Sequence, residues 1–374
     1  MNHCQIQLKT RTIIYIAALL VLSGCLSKGE DPDVGVFVID KVKYNIVPDI
    51  ANARATTDSI NKAIEDAKLL GYKKIRLEKG EYWICSDKNI RWGKPRDGIF
   101  IPSNTEFDLN NSTLRLVPNE KVVYGLIQLH AVENVIIKNG HLIGDRYQHS
   151  YVNDPEGPTH EYGFGVNILA SDNITVQEMI IEQMTGDAII LIGSAQANNP
   201  DGSRRYCQNV TIQNCNLFDC RRQGISVCHA KDVYIYKNEI HHIGGDGSVD
   251  PAGGTDPGYA IDIEPGPYEL YNCIAVNVRV HENYMHNCIG GLSFHTGNDS
   301  EAIGNLIEDH KWEGIGAGES QRIKIYKNVI NRSYIHINEK ATDVCAPQTG
   351  EYGNIIISGH IYNGAKMTGD FFCP

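Results

Sequence analysis

The chain has 374 residues, a net charge of −11 and eleven cysteines. That length exceeds one ordinary globular core, and the negative charge excludes broad nucleic-acid binding and weighs against a polyanionic substrate unless a basic patch or a cation offsets it. No Cys-x-x-Cys pattern occurs, which argues against a structural zinc site.

The chain opens with a basic start at Lys9 and Arg11, followed by an apolar run from Ile13 to Leu22. This run has signal-peptide length and is short for a membrane span. It closes on Leu22-Ser23-Gly24-Cys25, which resembles a bacterial lipobox. The resemblance implies a signal peptide over 1–24, cleavage before Cys25, and lipidation of that cysteine. It also implies a membrane attachment through the lipid, with the protein an outer-membrane lipoprotein facing the periplasm or the cell surface. Residues 25–45 then read as a tether with acidic Glu30, Asp31 and Asp33, and the folded domain as 46–374. Taking Cys4 and Cys25 from the eleven cysteines leaves nine, an odd number that excludes complete internal pairing. Those in or beside the repeats read as small buried hydrophobes.

Thr57 to Leu70 carries Ile60, Ala63, Ile64, Ala67 and Leu70 at helical spacing and stops at Gly71. Ile75 to Ile84 alternates as strands. From there a pattern close to polar-Val-x-Ile-x-x-Asn-x-Ile returns around Val135, Ile174, Val210, Val233, Val278 and Ile323. Its tightest spacing, Val210 to Val233, is about 23 residues, the period of a solenoid whose rungs stack. Each turn reads as two strands, the second of Gly-Ile-x-apolar form as in Gln223-Gly224-Ile225. Asn139, Asn238, Asn283, Asn305 and Asn328 recur at the bend after the first strand. Asparagine tolerates left-handed backbone, and its amide can bond its counterpart on the next rung. Insertions at 146–162, 194–206 and 244–259 interrupt the repeat, where loops leaving a rigid scaffold commonly build a site. Residues 342–374 repeat weakly, with a last rung expected near 352–361.

Strand alternation sorts residues by face. With Ile225, Ile261, Leu292 and Ile315 inward, Ser226, Asp262, Ser293 and Gly316 face outward, followed by Cys228, Glu264, His295 and Gly318. Adjacent rungs lie about 4.8 Å apart, so Asp262 and Glu264 are expected side by side with His295 next to Glu264. Two acids on alternate strand residues have Cα atoms about 6.5–7 Å apart. That spacing allows carboxyl separations in the retaining or the inverting glycosidase range, and one carboxyl raised as a general acid. Asp262, Glu264 and His295 are therefore the catalytic candidates. Asp187, Arg221, Arg222, Gln223, Tyr259 and Glu313 enter the same face and are read as substrate contacts. So are Asp145, Arg146 and His149, whose arginine and acids suit hydroxyls or a carboxylate. His241-His242 near Asp246 and Asp250 lacks a defined metal-ligand spacing, and no metal site is assigned.

From about residue 50 to 340, the coil pattern and the helix–strand entry cap resemble the pectin-lyase-like superfamily. This implies an all-β fold: a single-stranded right-handed parallel β-helix with an N-terminal capping helix. The polygalacturonase motifs of that superfamily are incomplete here. Thr185-Gly186-Asp187-Ala188-Ile189 matches one acid, Gln223 stands where a histidine is expected, and Arg322-Ile323-Lys324 lies in an ordinary strand. The resemblance implies a polysaccharide or oligosaccharide partner, and it carries no signal of oligomeric state. Three readings follow: a glycoside hydrolase without cofactor; a uronate lyase or epimerase, with a divalent cation such as calcium; and a non-catalytic glycan-binding surface protein.

Overall fold

The computed structural model describes residues 35–86, 97–152, 159–198, 204–245, 250–265, 273–347, 353–357 and 361–363. The chain divides into two units, Met1–Asp33 and Val34–Pro374. The first unit, which contains the expected signal peptide and Cys25, lies outside the described residues. Val36–Ile39 is a strand in parallel register with Lys74–Leu77, so the folded body starts ahead of the boundary placed at residue 46. No helix among the described residues is long and apolar enough to cross a membrane.

The helix runs Ala53–Leu69 and buries Ala53, Thr56, Thr57, Ile60, Ala63, Ile64 and Ala67, one face at three-to-four spacing. Gly71 follows with φ +84 and stops it. This helix closes the open end of the solenoid in a specific way. Asn61 donates from Nδ2 to Gly98 O at 2.8 Å and accepts from Phe100 N at 2.9 Å. Its side chain thus supplies a strand-like partner to the edge strand Ile99–Phe100, which would otherwise template pairing with another chain.

Each full turn carries three strands, not two. Cys207–Gln213, Asn216–Phe218 and Gln223–Val227 form one turn. Ala230–Tyr236, Glu239–His241 and Tyr259–Ile263 form the next. The rungs stack in parallel, and the antiparallel pair Ser194–Asn198 with Arg204–Arg205 lies in an insertion. Val210 lies over Val233 and Val233 over Val278 on the first wall. Leu217, Ile240 and Met285 align on the second, and Ile225, Ile261 and Leu292 on the third. The first two walls share one 17-stranded sheet and the third forms a ten-stranded sheet. The inward columns are apolar and buried throughout. Glycines at the entry of the third wall have a steric reason: a Cβ on Gly224 would lie 2.4 Å from Ala260 O, and one on Gly291 would lie 2.2 Å from Gly314 O.

The extra strand arises at the bend. Glu178, Asn214, Lys237, Glu282, Gly304 and Lys327 all have φ between +53 and +66. At this bend a left-handed residue breaks the first strand in two from Cys207 onward, whereas Asp172–Glu182 runs unbroken through Glu178. It is the residue before the recurring asparagine that takes this conformation. The asparagine itself points inward and stacks. Asn238 Nδ2 donates to Asn283 Oδ1 at 3.0 Å and Asn283 to Asn305 at 3.0 Å. Asn305 donates to Asn328 at 2.9 Å and Asn328 to Asn354 at 2.9 Å. Asn139 stands apart: it is itself left-handed and donates to Asp108. The last rungs are formed by Ile355–Ile356 on Val329–Ile330 and Ile361–Asn363 on Ile335–Ile337.

Candidate functional site

The third wall positions the site. Its outward column runs Asn167, Ile190, Ser226, Asp262, Ser293, Gly316, from rung to rung in register. Strand alternation turns these side chains away from the apolar interior. Asp262 is nonetheless only 3% exposed, whereas Glu264 is half-buried.

Asp262 sits at the centre of a polar network. Gln223 Nε2 donates to its Oδ2 at 2.5 Å. Gln223 Oε1 accepts from Arg222 Nη1 at 3.1 Å and from Ser226 Oγ. Arg222 Nη1 reaches Asp187 Oδ2 at 3.2 Å, and Ser226 Oγ reaches the same oxygen at 2.8 Å. Burial pushes the Asp262 carboxyl up to about 8; the Glu264 charge adds to this, and Arg222 pulls the other way. Asp262 and Glu264 also share a hydrogen bond. Asp262 therefore keeps its proton near neutral pH.

Asp187 is fully buried. Burial raises its carboxyl, and Arg222 and Ser226 oppose that. Burial works against the Arg222 charge, but Asp187, Cys228, Asp262 and Glu161 hold its pKa above the ordinary value. Arg222 Nε is buried and has no hydrogen-bond partner among the described residues. The Cys228 thiol is pushed up by burial, so it is not a nucleophilic thiolate. Tyr259 OH donates to Glu313 Oε1 at 2.6 Å. Its ring meets Trp312 edge-on at 6.2 Å. Trp312 is 40% exposed and was not singled out from the sequence. Its only signal there was a large aromatic beside Glu313 in a turn that elsewhere carries polar residues.

Several sequence candidates lie elsewhere or do other work. His295 is exposed, and its Nδ1 leans over Gly318 of the following rung, 3.4 Å from where a Cβ would sit. It has no described contact with Glu264, so the expected pairing does not form. Arg221 is a buried brace rather than a substrate contact. Its Nε donates to Pro251 O at 2.5 Å, its Nη1 to Thr159 O at 2.7 Å, and its guanidinium lies 4.9 Å over the Tyr151 ring. Arg146 is likewise spent on main chain: Ala252 O at 2.7 Å, Asp219 O at 3.0 Å and Gly244 O at 3.1 Å. The two arginines thereby pin the turn at 250–253. Asp145 is buried and accepts from Tyr124 OH at 2.9 Å and from Asn119 N at 3.0 Å. His149 Nδ1 lies 2.8 Å from Asp145 Oδ2, and its Nε2 lies 2.9 Å from His160 Nδ1. Asp145, Arg146 and His149 thus form a brace whose donors are already used. Asp246 lies outside the described residues, and His241 and His242 cluster with His286 instead of Asp250.

The carboxylates on this wall do not fit calcium as they stand. Asp262 retains its proton and Asp187 is tied to Arg222, which leaves too few free oxygens for a six- to eight-ligand ion.

No family model matches the chain. Two proteins of Bacillus subtilis (strain 168) are similar in sequence. Uncharacterized protein YclG is 27% identical over 341 residues, which is 89% of this chain and 54% of that protein. SPbeta prophage-derived uncharacterized protein YorA is 30% identical over 244 residues, 63% of this chain and 41% of that protein. The chain thus spans about half the length of these relatives. Among solved structures, the tailspike of E. coli bacteriophage HK620 in complex with a pentasaccharide aligns with TM-score 0.52 and 11% identity, over 89% of this chain and 64% of that one. Alginate lyase from Paenibacillus sp. str. FPU-7 aligns with TM-score 0.51 and 11% identity, over 81% and 96%. The protein is a right-handed parallel β-helix, and at these identities the fold is what it shares with them.

Proposed function

We propose that this protein is a carbohydrate-active enzyme, in the first place a glycoside hydrolase, that binds a glycan along the third wall. The observation that carries the reading is the Asp262–Glu264 pair: a buried carboxyl that keeps its proton near neutral pH, joined to a half-buried carboxyl that reaches the surface. A retained proton is what a general acid needs to protonate a leaving glycosidic oxygen. Glu264 delivers that proton and Asp262 replenishes it. Glu313, oriented by Tyr259, is the solvent-accessible carboxylate left to activate water. Arg222 Nε, buried without a partner, offers a donor to a sugar oxygen. Trp312 offers an apolar face for a sugar ring.

One observation favours a second reading. A buried carboxyl that keeps its proton lies beside a second carboxyl, as in a proton-shuttling unit. A lyase or epimerase acting on a uronate would use such a pair to move the proton beside the carboxylate, with Arg222 neutralising the acid. The deciding experiment is a product assay over plant, host and microbial glycans. New reducing ends without ultraviolet absorbance support hydrolysis. Absorbing unsaturated products, or inverted uronates, replace it with the second reading. Glycan binding without turnover, unchanged by Asp262→Asn and Glu264→Gln, would refute both in favour of a binding protein.

We also propose that the chain is anchored by a lipid on Cys25 to the outer membrane, following a signal peptide over 1–24. A Cys25→Ser variant should leave the membrane fraction. Retention there would refute the anchor.

A further inference from the structure

The second wall carries a cluster that the candidate site does not use. Phe218, His241 and His286 lie in register on successive rungs. Their rings stack at 4.9 Å and 4.9 Å, with interplanar angles of 2° and 13°. Glu239 is two residues before His241 on the same strand and therefore on the same outward face. One ligand atom from each of Glu239, His241 and His286 falls within 4.8 Å of the others.

The hydrogen bonds fix which atoms face one another. His286 Nδ1 lies 2.7 Å from Asn287 Oδ1. An amide oxygen only accepts, so Nδ1 carries the hydrogen. His286 Nε2 then turns its lone pair toward Glu239 Oε1, 3.4 Å away. At that distance the two atoms are bridged either by a proton on Nε2 or by a metal cation. A proton on Nε2 would join two atoms, yet three ligand atoms converge here. On a tetrahedral ion with bonds of about 2.0–2.1 Å, neighbouring ligand atoms lie about 3.3 Å apart. The Glu239–His286 pair already has that spacing. His241 places Nε2 3.1 Å from Asn216 Oδ1 and Nδ1 2.7 Å from His242 Nδ1, so a bound ion would displace one of these contacts and keep the other as the outer contact that orients the ring. Glu239 is exposed and free to close the remaining gap. Beside the cluster opens a cavity of about 470 Å³ whose lining includes His242, Asn287, Asp219 and Asp309.

We propose that Glu239, His241 and His286 form a binding site for a divalent transition metal of the zinc class. Two imidazoles and one carboxylate are borderline nitrogen and oxygen donors, which suit zinc, nickel or copper better than calcium or magnesium. Three protein ligands leave a fourth position open toward solvent.

The test is calorimetric titration of the intact, untagged and metal-stripped chain with zinc chloride alone, read independently of any glycan turnover. One equivalent should bind. Glu239→Gln, an exposed substitution that leaves the fold intact, should weaken binding at least about tenfold, and His286→Ala at least as much. Far-ultraviolet circular dichroism checks that each variant is folded. Binding weaker than about 0.1 mM, or binding unchanged in Glu239→Gln and in His241→Ala/His286→Ala, would overturn the proposal. Neither result bears on the Asp262–Glu264 reading, so the two can fail separately.

Discussion

Asp262→Asn is the substitution that most directly probes the site. The side chain keeps its shape, and the asparagine oxygen can still accept from Gln223 at the position where Oδ2 sits 2.5 Å away. What changes is the proton. An unfolded aspartate titrates near 3.9, whereas the folded Asp262 is pushed up to about 8, first by burial and then by Glu264. Below about pH 4 the carboxyl is neutral in both states, and burial costs little. Between about 4 and 8 the unfolded chain has lost the proton and the folded chain keeps it, so stability falls as pH rises, by about 1.4 kcal/mol per pH unit for one proton. Above the folded value the full cost is present, up to about 6 kcal/mol and less after relaxation around the charge. The asparagine variant lacks this cost. It should match the wild type at pH 5 within about 1 kcal/mol and exceed it by a few kcal/mol at pH 9. Urea denaturation followed by circular dichroism at pH 5, 7 and 9 reads this difference. Wild-type and variant midpoints that stay equally spaced at all three pH values would refute the retained proton, and with it the general-acid reading.

Other expectations follow from the same contacts. Arg222→Gln removes the cation beside fully buried Asp187 and should cost about 3–5 kcal/mol. Adding Asp187→Asn should return much of that loss in the same denaturation assay, and no recovery would show that the two do not act as a pair. Asn305→Ala removes an amide that donates to Val280 O at 2.8 Å and Asn328 Oδ1 at 2.9 Å and accepts from Asn283 N at 2.9 Å and Nδ2 at 3.0 Å. At about 1 kcal/mol for each bond, roughly 4 kcal/mol should be lost, and a midpoint within error of wild type would contradict the ladder's role. His295→Ala should leave turnover of a confirmed substrate within about twofold, since the ring lies against Gly318 and has no described contact with Glu264. A drop of a hundredfold would restore it to the catalytic machinery.

The apolar period alone carried much of this fold. Ile225, Ile261, Leu292 and Ile315 had to share one inward column once the repeat was aligned, and the register bears them out. The asparagine ladder was legible for the same reason, because an interior amide needs a partner and the next rung supplies one. What the period did not show was the left-handed residue before each asparagine. Lys237, Glu282 and Lys327 have no side-chain signature for that conformation, and the backbone of the bend imposes it. Arg146 and Arg221 were misread for a different reason. Arg146 opens one insertion and Arg221 lies just before the third wall, and each looks like a ligand contact until the carbonyls of the 244–259 insertion appear, Ala252 and Pro251 being far from them in sequence. The His295 pairing failed on direction: register placed it correctly, but rotamer choice aimed it at Gly318.

Asp262 departs from its column in a way that bears on function. Its rung neighbours in the outward position are Ser226 and Ser293, followed by Gly316. Three small residues leave space over the wall, whereas an aspartate there must be buried under whatever covers them. A solenoid gains nothing in stability from such a carboxyl. Burial raises its proton affinity, and Arg222, the one guanidinium in its network, is already bound to Asp187. Simple replacement by serine, the residue on both adjacent rungs, would fit the repeat and remove the cost. A repeat that tolerates serine at this position and carries an aspartate instead is sustaining a destabilising group at one place on its surface, and functional sites are where such costs are met. That argument is independent of the proposed substrate. Asp262→Ser should therefore be as stable as the wild type at pH 5 and more stable at pH 9, while losing turnover of any substrate the wild type processes. Full activity in a stably folded Asp262→Ser variant would remove Asp262 from the catalytic machinery.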